Sequence, residues 1–365
     1  MILLLGLILL KGIKLLMVKK GLLVIGSRKI MKRYAHCISG KIGFMKKYYI
    51  AALAVLILLG VFYWFYASSP PKELRLSTSN NDDIEKESKE TNAADYGSVG
   101  YGLKDLNGKL IDEGSALNSK NNEVTVVASV DNDIDEDRKY ALLIFEDYKQ
   151  VNFKAENKEQ EVKKIFFDAK PNTSRNFKIS VPIRSDSSEL TFVIVQKPEY
   201  KLKELDLNRA GILEQVLSMR YSINKADSGK DAKKVKQVKP DAIVKDGFNE
   251  NISITNSQEK LQSIMTEKEG KELKFSAGNE TNAEIRYAII ALKDWEQVAV
   301  RDNTDVLYTT VPPETRHLFD FNLPDVEGEN NFQLIAFPFP YEVNADNYES
   351  QQTFGSFRVV IQDRE

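Results

Sequence analysis

The chain has 365 residues, 28% of them charged and 42% hydrophobic, enough for one enzyme-sized domain or for two or three modest ones. A single cysteine, Cys37, excludes an internal disulfide, and two histidines, His36 and His317, exclude a Cys/His zinc site. The formal net charge of −2 describes no part of the molecule: residues 1–72 hold twelve Lys or Arg and no acid, and the rest holds 39 basic against 53 acidic residues, a net −14.

In chain order, residues 1–47 form a basic segment in which Met1 to Met17 is Leu-rich but interrupted by Lys11 and Lys14, too short and too charged to span a bilayer. Met45-Lys-Lys directly abuts the following apolar stretch, so translation is expected to begin at Met45, and no role is assigned to residues 1–44. Tyr48 to Pro71 is uncharged, and residues 48–67 read as a transmembrane helix: twenty residues at about 1.5 Å each cover a ~30 Å hydrocarbon layer. Tyr48 and Tyr49 at one end and Tyr63, Trp64 and Tyr66 at the other sit where interfacial aromatics belong, and Pro70-Pro71 stops the helix. Lys46 and Lys47 on the near side place the N-terminus in the cytoplasm by the positive-inside rule. Tyr66-Ala-Ser-Ser69 could serve a signal peptidase, but the apolar run is longer than a cleavable signal uses, so an uncleaved anchor is expected.

Residues 68–95 are Ser, Asn, Asp, Glu and Lys-rich and read as a disordered stalk, since they cannot bury enough apolar surface to offset chain entropy. A second polar stretch, 227–240, carries five lysines from Lys230 to Lys239 and reads as a connector between two domains, 96–226 and 241–365. The segments on either side of it repeat. Lys139-Tyr-Ala-Leu-Leu-Ile-Phe-Glu-Asp-Tyr-Lys-Gln-Val151 aligns without a gap on Arg286-Tyr-Ala-Ile-Ile-Ala-Leu-Lys-Asp-Trp-Glu-Gln-Val298. Phe177 to Pro182 then matches Phe319 to Pro324, Phe192 to Val195 is set on Phe332 to Ile335, and Arg220 to Ile223 matches Arg358 to Ile361. Matches in one order over about a hundred residues indicate a tandem duplication.

Each copy reads as strands. Val124–Val130, Tyr140–Phe145, Lys164–Phe167, Asn176–Val181, Leu190–Val195 and Met219–Ile223 are β-branched or aromatic runs between polar turns, and Lys178, Ser180 and Arg184 alternate with Phe177, Ile179, Val181 and Ile183. Only Leu205 to Leu217 has the pattern of a short helix. The expected fold is therefore all-β, two tandem immunoglobulin-like β-sandwich domains behind one N-terminal transmembrane helix. Cleavage in the lysine-rich connector is expected to separate them into two folded halves. The arrangement, with the strand-turn-strand form of Leu142 to Phe153, resembles membrane-tethered tandem Ig-like proteins of bacterial surfaces and is similar to adhesion-type modules. That resemblance implies a role in binding. It lacks the Cys-Trp-Cys core signature and transmits no particular ligand.

Candidate sites are few. Asp131-Asn-Asp-Ile-Asp-Glu-Asp137 has alternating acids, but Glu136 and Leu142 stand where a calcium loop needs Gly and a bidentate Glu, so it reads as a solvated turn and no metal is expected. His317 is the one histidine outside the first 47 residues, there is no Gly-x-Ser-x-Gly elbow and no phosphate-cradling glycine loop, so neither an enzyme nor a bound cofactor is expected. Tyr148 and Trp295 occupy matching turns and can either anchor a partner or plug the edge of their own sandwich. Phe337-Pro-Phe-Pro-Tyr341 would put Phe337, Phe339 and Tyr341 on one side of a strand end. These five are the candidate partner-binding residues. The expected function is that of a non-enzymatic, membrane-anchored extracytoplasmic binding protein, a scaffold or assembly partner for an envelope protein or complex, with carbohydrate or cell-wall recognition as the alternative. The −14 outer region repels polyanions, so nucleic acid is not an expected partner.

Overall fold

The computed structural model describes residues 98–156, 158, 160–223, 235–245, 250–257 and 263–364. The basic segment, the transmembrane helix and the stalk expected over residues 1–95 lie outside these, and among the described residues no helix is long and apolar enough to cross a membrane. All described residues belong to one compact unit.

Its first half contains β1 (Val99–Lys104), β2 (Leu110–Ile111), β3 (Ala116–Leu117), β4 (Glu123–Asn132), β5 (Arg138–Glu146), β6 (Lys149–Gln150), β7 (Lys154–Ala155), β8 (Lys164–Ala169), β9 (Thr173–Pro182), β10 (Glu189–Gln196) and β11 (Leu217–Ile223). One sheet has the order β2-β1-β4-β9-β7 and the other β3-β11-β10-β5-β6, with β8 also paired to β5. Helix α1 (Leu207–Glu214) precedes β11, and the Asp206 side chain caps it by accepting the Arg209 N–H at 3.1 Å. The helix falls within the run predicted from sequence and buries only Ala210 and Leu213.

The second half repeats this plan with β12 (Ala242–Val244), β13 (Ser253–Thr255), β14 (Thr266–Lys268), β15 (Glu272–Asn279), β16 (Ile285–Lys293), β17 (Glu296–Val298), β18 (Leu307–Val311), β19 (Thr315–Asn322), β20 (Glu329–Pro338), helix α2 (Tyr348–Gln351), β21 (Phe354–Gly355) and β22 (Val359–Gln362). Its sheets run β12-β19-β15-β13 and β14-β22-β20-β16-β17, with β18 on β16 and β21 on β20. Corresponding strands pair alike: β4 with β9 and β15 with β19, β5 with β10 and β16 with β20, and β3 lies parallel to β11 as β14 does to β22.

The pairing corrects one part of the sequence alignment. Tyr140 faces Gln196 across β5 and β10, whereas its counterpart Tyr287 faces Pro338 across β16 and β20, so Leu190 corresponds to Phe332 and Glu189 to Asn331. The alignment that set Phe192 on Phe332 is thus two residues out. A shift of two preserves which face each side chain takes, so the apolar pattern fits both registers equally.

Each half has its own core between its two sheets. In the first, Tyr140, Leu142 and Ile144 of β5 meet Val124, Val126 and Ile179; in the second, Tyr287, Ile289 and Ala291 of β16 meet Phe275, Phe319 and Phe321. The same small device closes both. Asn132 donates its side-chain amide to the carbonyls of Glu136, Ala169 and Lys170, and Asn279 donates to those of Ala283 and Val311. The acidic run around Asn132 is accordingly a turn fastened to the sandwich edge. Among the described residues no group of His, Cys, Asp and Glu is placed to hold a metal ion.

A third apolar cluster joins the two halves. The alternate residues of β5 and β10, Ala141, Leu143, Phe145, Val193 and Val195, are buried against Ala288, Ile290, Leu292, Ile335 and Phe337 of β16 and β20. These four strands are covered on both faces, one by their own core and one by the other half. At roughly 1.5–3 kcal/mol per large side chain buried, this shared seam is comparable in kind to a small core. Val238 packs on the second core and donates its N–H to the Tyr308 carbonyl at 2.8 Å.

Candidate functional site

The five aromatic residues singled out in the sequence converge on the seam. Tyr148 and Trp295 lie in two-residue hairpins, β5–β6 and β16–β17, in which both central residues have positive φ: Asp147 at 49° and Tyr148 at 66°, Asp294 at 42° and Trp295 at 68°. That is the pattern of a turn whose twist matches its strands, here built without glycine. The two aspartates hold it. Asp147 Oδ1 accepts the N–H groups of Ser188 and Glu189, each at 3.0 Å, and Asp294 Oδ1 accepts that of Asn331 at 2.8 Å. So held, both aromatic rings point into the other half and are buried, Tyr148 at 1% exposure and Trp295 at 2%.

Around them the seam has an approximate two-fold pattern. The Gln150 N–H donates to Gln297 Oε1 at 2.6 Å while the Gln297 N–H donates to Gln150 Oε1 at 2.7 Å. Their side-chain amides cross in the same way, Gln150 to the Trp295 carbonyl at 3.0 Å and Gln297 to the Tyr148 carbonyl at 2.9 Å. Arg220 and Arg358, corresponding residues of β11 and of the segment entering β22, each reach the end of the other half's strand. Arg220 donates to the Pro338 carbonyl at 2.8 Å and Arg358 to the Gln196 carbonyl at 2.8 Å, and Gln196 and Pro338 are themselves counterparts.

The symmetry breaks in the charges. Arg220 Nε donates to Glu189 Oε1 at 2.9 Å, and Glu189 also accepts the Tyr148 hydroxyl and the Tyr341 N–H, the latter at 3.2 Å. Burial would lower the Arg220 pKa, yet the adjacent Glu189 carboxylate reverses this and the net shift is upward. At the corresponding place stands Asn331, which cannot supply a charge. Arg358 instead lies over the Trp295 ring at 4.6 Å, and burial without a carboxylate pushes its pKa down to about 9. The contacting peptide changes polarity to match: Tyr341 offers its N–H to Tyr148 and Glu189, whereas on the other side the Pro198 carbonyl accepts from Trp295 Nε1 at 2.9 Å and Asn331 Nδ2 at 3.0 Å.

Phe337, Phe339 and Tyr341 do not share one side. β20 ends at Pro338, and Phe339 and Tyr341 both take left-handed backbone, φ 49° and 64°, which destroys strand alternation. Phe337 enters the seam, Phe339 packs on the second core, and Tyr341 lies at the seam's margin with its hydroxyl 2.7 Å from that of Tyr308. This margin opens on a cleft of about 630 Å³ lined by Asp147, Arg184, Tyr308 and Tyr341 among others. Arg184 is ion-paired there to Glu146 at 2.5 Å and to Asp147 at 3.0 Å. His317 is far from any such arrangement in character: it is buried in the second sandwich, its Nδ1 lies 2.8 Å from Thr309 Oγ1, and burial lowers its pKa.

The larger depression was not legible from motifs. A groove of about 1020 Å³ runs between the halves, with Tyr101, Glu113, Ser218 and helix α1 on one side and Glu250, Glu280, Tyr348 and Phe354 on the other. Glu113 is pushed up to about 7 by burial, against the opposing pull of the Arg220 N–H and charge. Glu214 is also raised to about 7, first by burial and then by repulsion from Glu250. These acids are scattered over four segments of the sequence, and only the packing of one half on the other collects them.

No family model and no curated protein matches the chain. Among solved structures it is similar to the ASH/PapD-like domain 7 of human CEP192 at 9% identity and TM-score 0.23, covering 40% of this chain and 98% of that one. The C-terminal domain of the Streptococcus agalactiae AgI/II polypeptide BspA gives 9% and 0.21, with 73% and 100% covered. The E. coli chaperone DraB gives 13% and 0.22, with 72% and 97% covered. Likenesses at this level carry no argument about what the chain does.

Proposed function

We propose that the chain is a non-enzymatic, membrane-anchored extracytoplasmic binding protein, built from two immunoglobulin-like sandwiches in tandem and serving as a scaffold or assembly partner for another envelope protein or complex. The observation that carries this reading is the seam. Two sandwiches packed through opposed sheet faces present a fixed bipartite surface, which suits holding a partner better than turning over a substrate. The buried charged groups of the seam, Arg220, Glu189 and Arg358, are engaged with each other or with backbone carbonyls across it, and none is aimed at a reactive pocket. The carbohydrate alternative loses its platform, because a sugar needs an open ring face and Trp295 is buried beneath Arg358.

The apolar run at 48–67 supplies the anchor in this reading, with the sandwiches outside. A tag following Glu365 is expected to be removed by protease added to intact cells, and to survive only when the sandwiches themselves resist digestion, which a cleavable site placed before the tag controls for. A tag that stays protected with that site intact contradicts the topology. A hydrolytic or transferase activity of the purified protein that His317→Ala abolishes would contradict the non-enzymatic part.

A further inference from the structure

We infer that the groove between the two halves is a docking site for an extended segment of a partner protein that is rich in both basic and apolar residues. The inference rests on the binding role proposed above and assigns it a place and a partner chemistry. Three observations point to it independently.

The first is exposed apolar surface. A surface helix ordinarily turns its apolar residues inward, and α1 does so with Ala210 and Leu213. Yet it leaves Leu207 at 59% and Ile212 at 47% exposure along the groove, with Tyr101 at 39% on the same wall and Tyr348 at 73% on the other. Large apolar side chains gathered on one concave surface mark an interaction site where scattered ones would not.

The second is charge. Glu113, Glu214, Glu250 and Glu280 line the groove, and among the described residues no Lys, Arg or His does. Arg220, whose charge reaches Glu113, is already paired with Glu189. Glu113 and Glu214 are partly desolvated, and acidic side chains along one groove favour a cationic occupant.

The third is geometry. The acids do not converge, since no group of three or more metal-ligating side chains is clustered among the described residues. Spread carboxylates fit a row of cationic side chains rather than one metal ion. At about 1020 Å³ the groove also lies at the upper limit of small-molecule clefts. A peptide segment alternating charge and apolar bulk matches all three features, and the rigid seam below keeps both walls in place without an ordering cost at each encounter.

The test titrates the full chain with a synthetic decapeptide of alternating Lys and Leu, and with its Glu/Leu counterpart, by fluorescence anisotropy at low and moderate salt. The Lys/Leu peptide is expected to bind, the Glu/Leu peptide not. The double substitution Glu214→Gln, Glu250→Gln should weaken binding by about tenfold or more. Leu207→Ser with Ile212→Ser, which leaves the charge unchanged, should weaken it as well. A distant pair of equal charge change, Asp168→Asn with Glu272→Gln, should leave it within about twofold. Equal loss from the groove and distant acid pairs would mean general attraction to an acidic surface and would overturn the groove. So would binding untouched by the Leu207/Ile212 change, with melting curves confirming that each variant is folded. A partner captured in cells equally well by wild type and groove variants would leave the binding role standing and remove the groove from it. Peptide binding mapped to the groove together with a protected C-terminal tag would do the reverse.

Discussion

Glu189→Ala should be among the most destabilising single substitutions in the described residues, costing about 3–5 kcal/mol. The reason is what it leaves behind. Arg220 is fully buried, with Phe337 under its guanidinium at 5.5 Å, and that guanidinium is ion-paired to Glu189. Removing that carboxylate strands a charge in a low-dielectric seam and also frees the Tyr148 hydroxyl and the Tyr341 N–H that it accepts. Replacing both partners at once, Glu189→Leu with Arg220→Met, should recover much of the loss, because an apolar pair needs no counter-charge. Denaturant unfolding of the three proteins checks this. A single-variant cost no greater than that of deleting an exposed pair such as Lys139 and Glu199, typically under about 1 kcal/mol, would show that the buried pair is not structurally coupled as described.

Trp295→Ala should cost a comparable amount, about 3–5 kcal/mol, and its signature should be distinctive. The indole is buried in the seam, donates to the Pro198 carbonyl of the other half and lies against Arg358. Its loss opens a cavity, leaves that carbonyl and Arg358 with fewer partners, and weakens both halves together. Unfolding followed by probes in each half should therefore move to lower denaturant in step. A residue acting only as an exposed anchor would shift stability by about 0.5 kcal/mol or less, and one that plugged only its own sandwich would move the second half alone.

Much of the fold could be read in advance because the outer sheets obey simple alternation. Lys178 and Ser180 point out while Ile179 and Val181 point in, and the short helix before β11 announced itself by its apolar pattern. What escaped was carried by the inner strands. Tyr140 to Phe145 and Tyr287 to Leu292 are apolar without alternation, and an unbroken apolar run is the mark of a strand buried on both faces. That signal was present, but a strand covered on its second face by another domain looks the same as one in a thick core. The two-residue register error followed from the same blandness, since neither register placed a polar residue wrongly until Glu189 and Asn331 were seen as counterparts. For the candidate residues, the matching turns rightly paired Tyr148 with Trp295, yet no local pattern tells an aromatic that reaches a neighbouring domain from one that waits for a separate partner. The groove could not be anticipated at all, because Glu113, Glu214, Glu250 and Glu280 approach one another only through the seam.

That seam is the point on which the rest depends, and nicking the connector probes it directly. Lys230, Lys233 and Lys234 offer tryptic sites between β11 and the first described residue of the second half. After cleavage there, confirmed by mass, the two fragments should still elute together as one species on size exclusion in native buffer, parting only when denaturant dissolves the shared apolar cluster. Two separately eluting, folded β-rich fragments in native buffer would contradict the account.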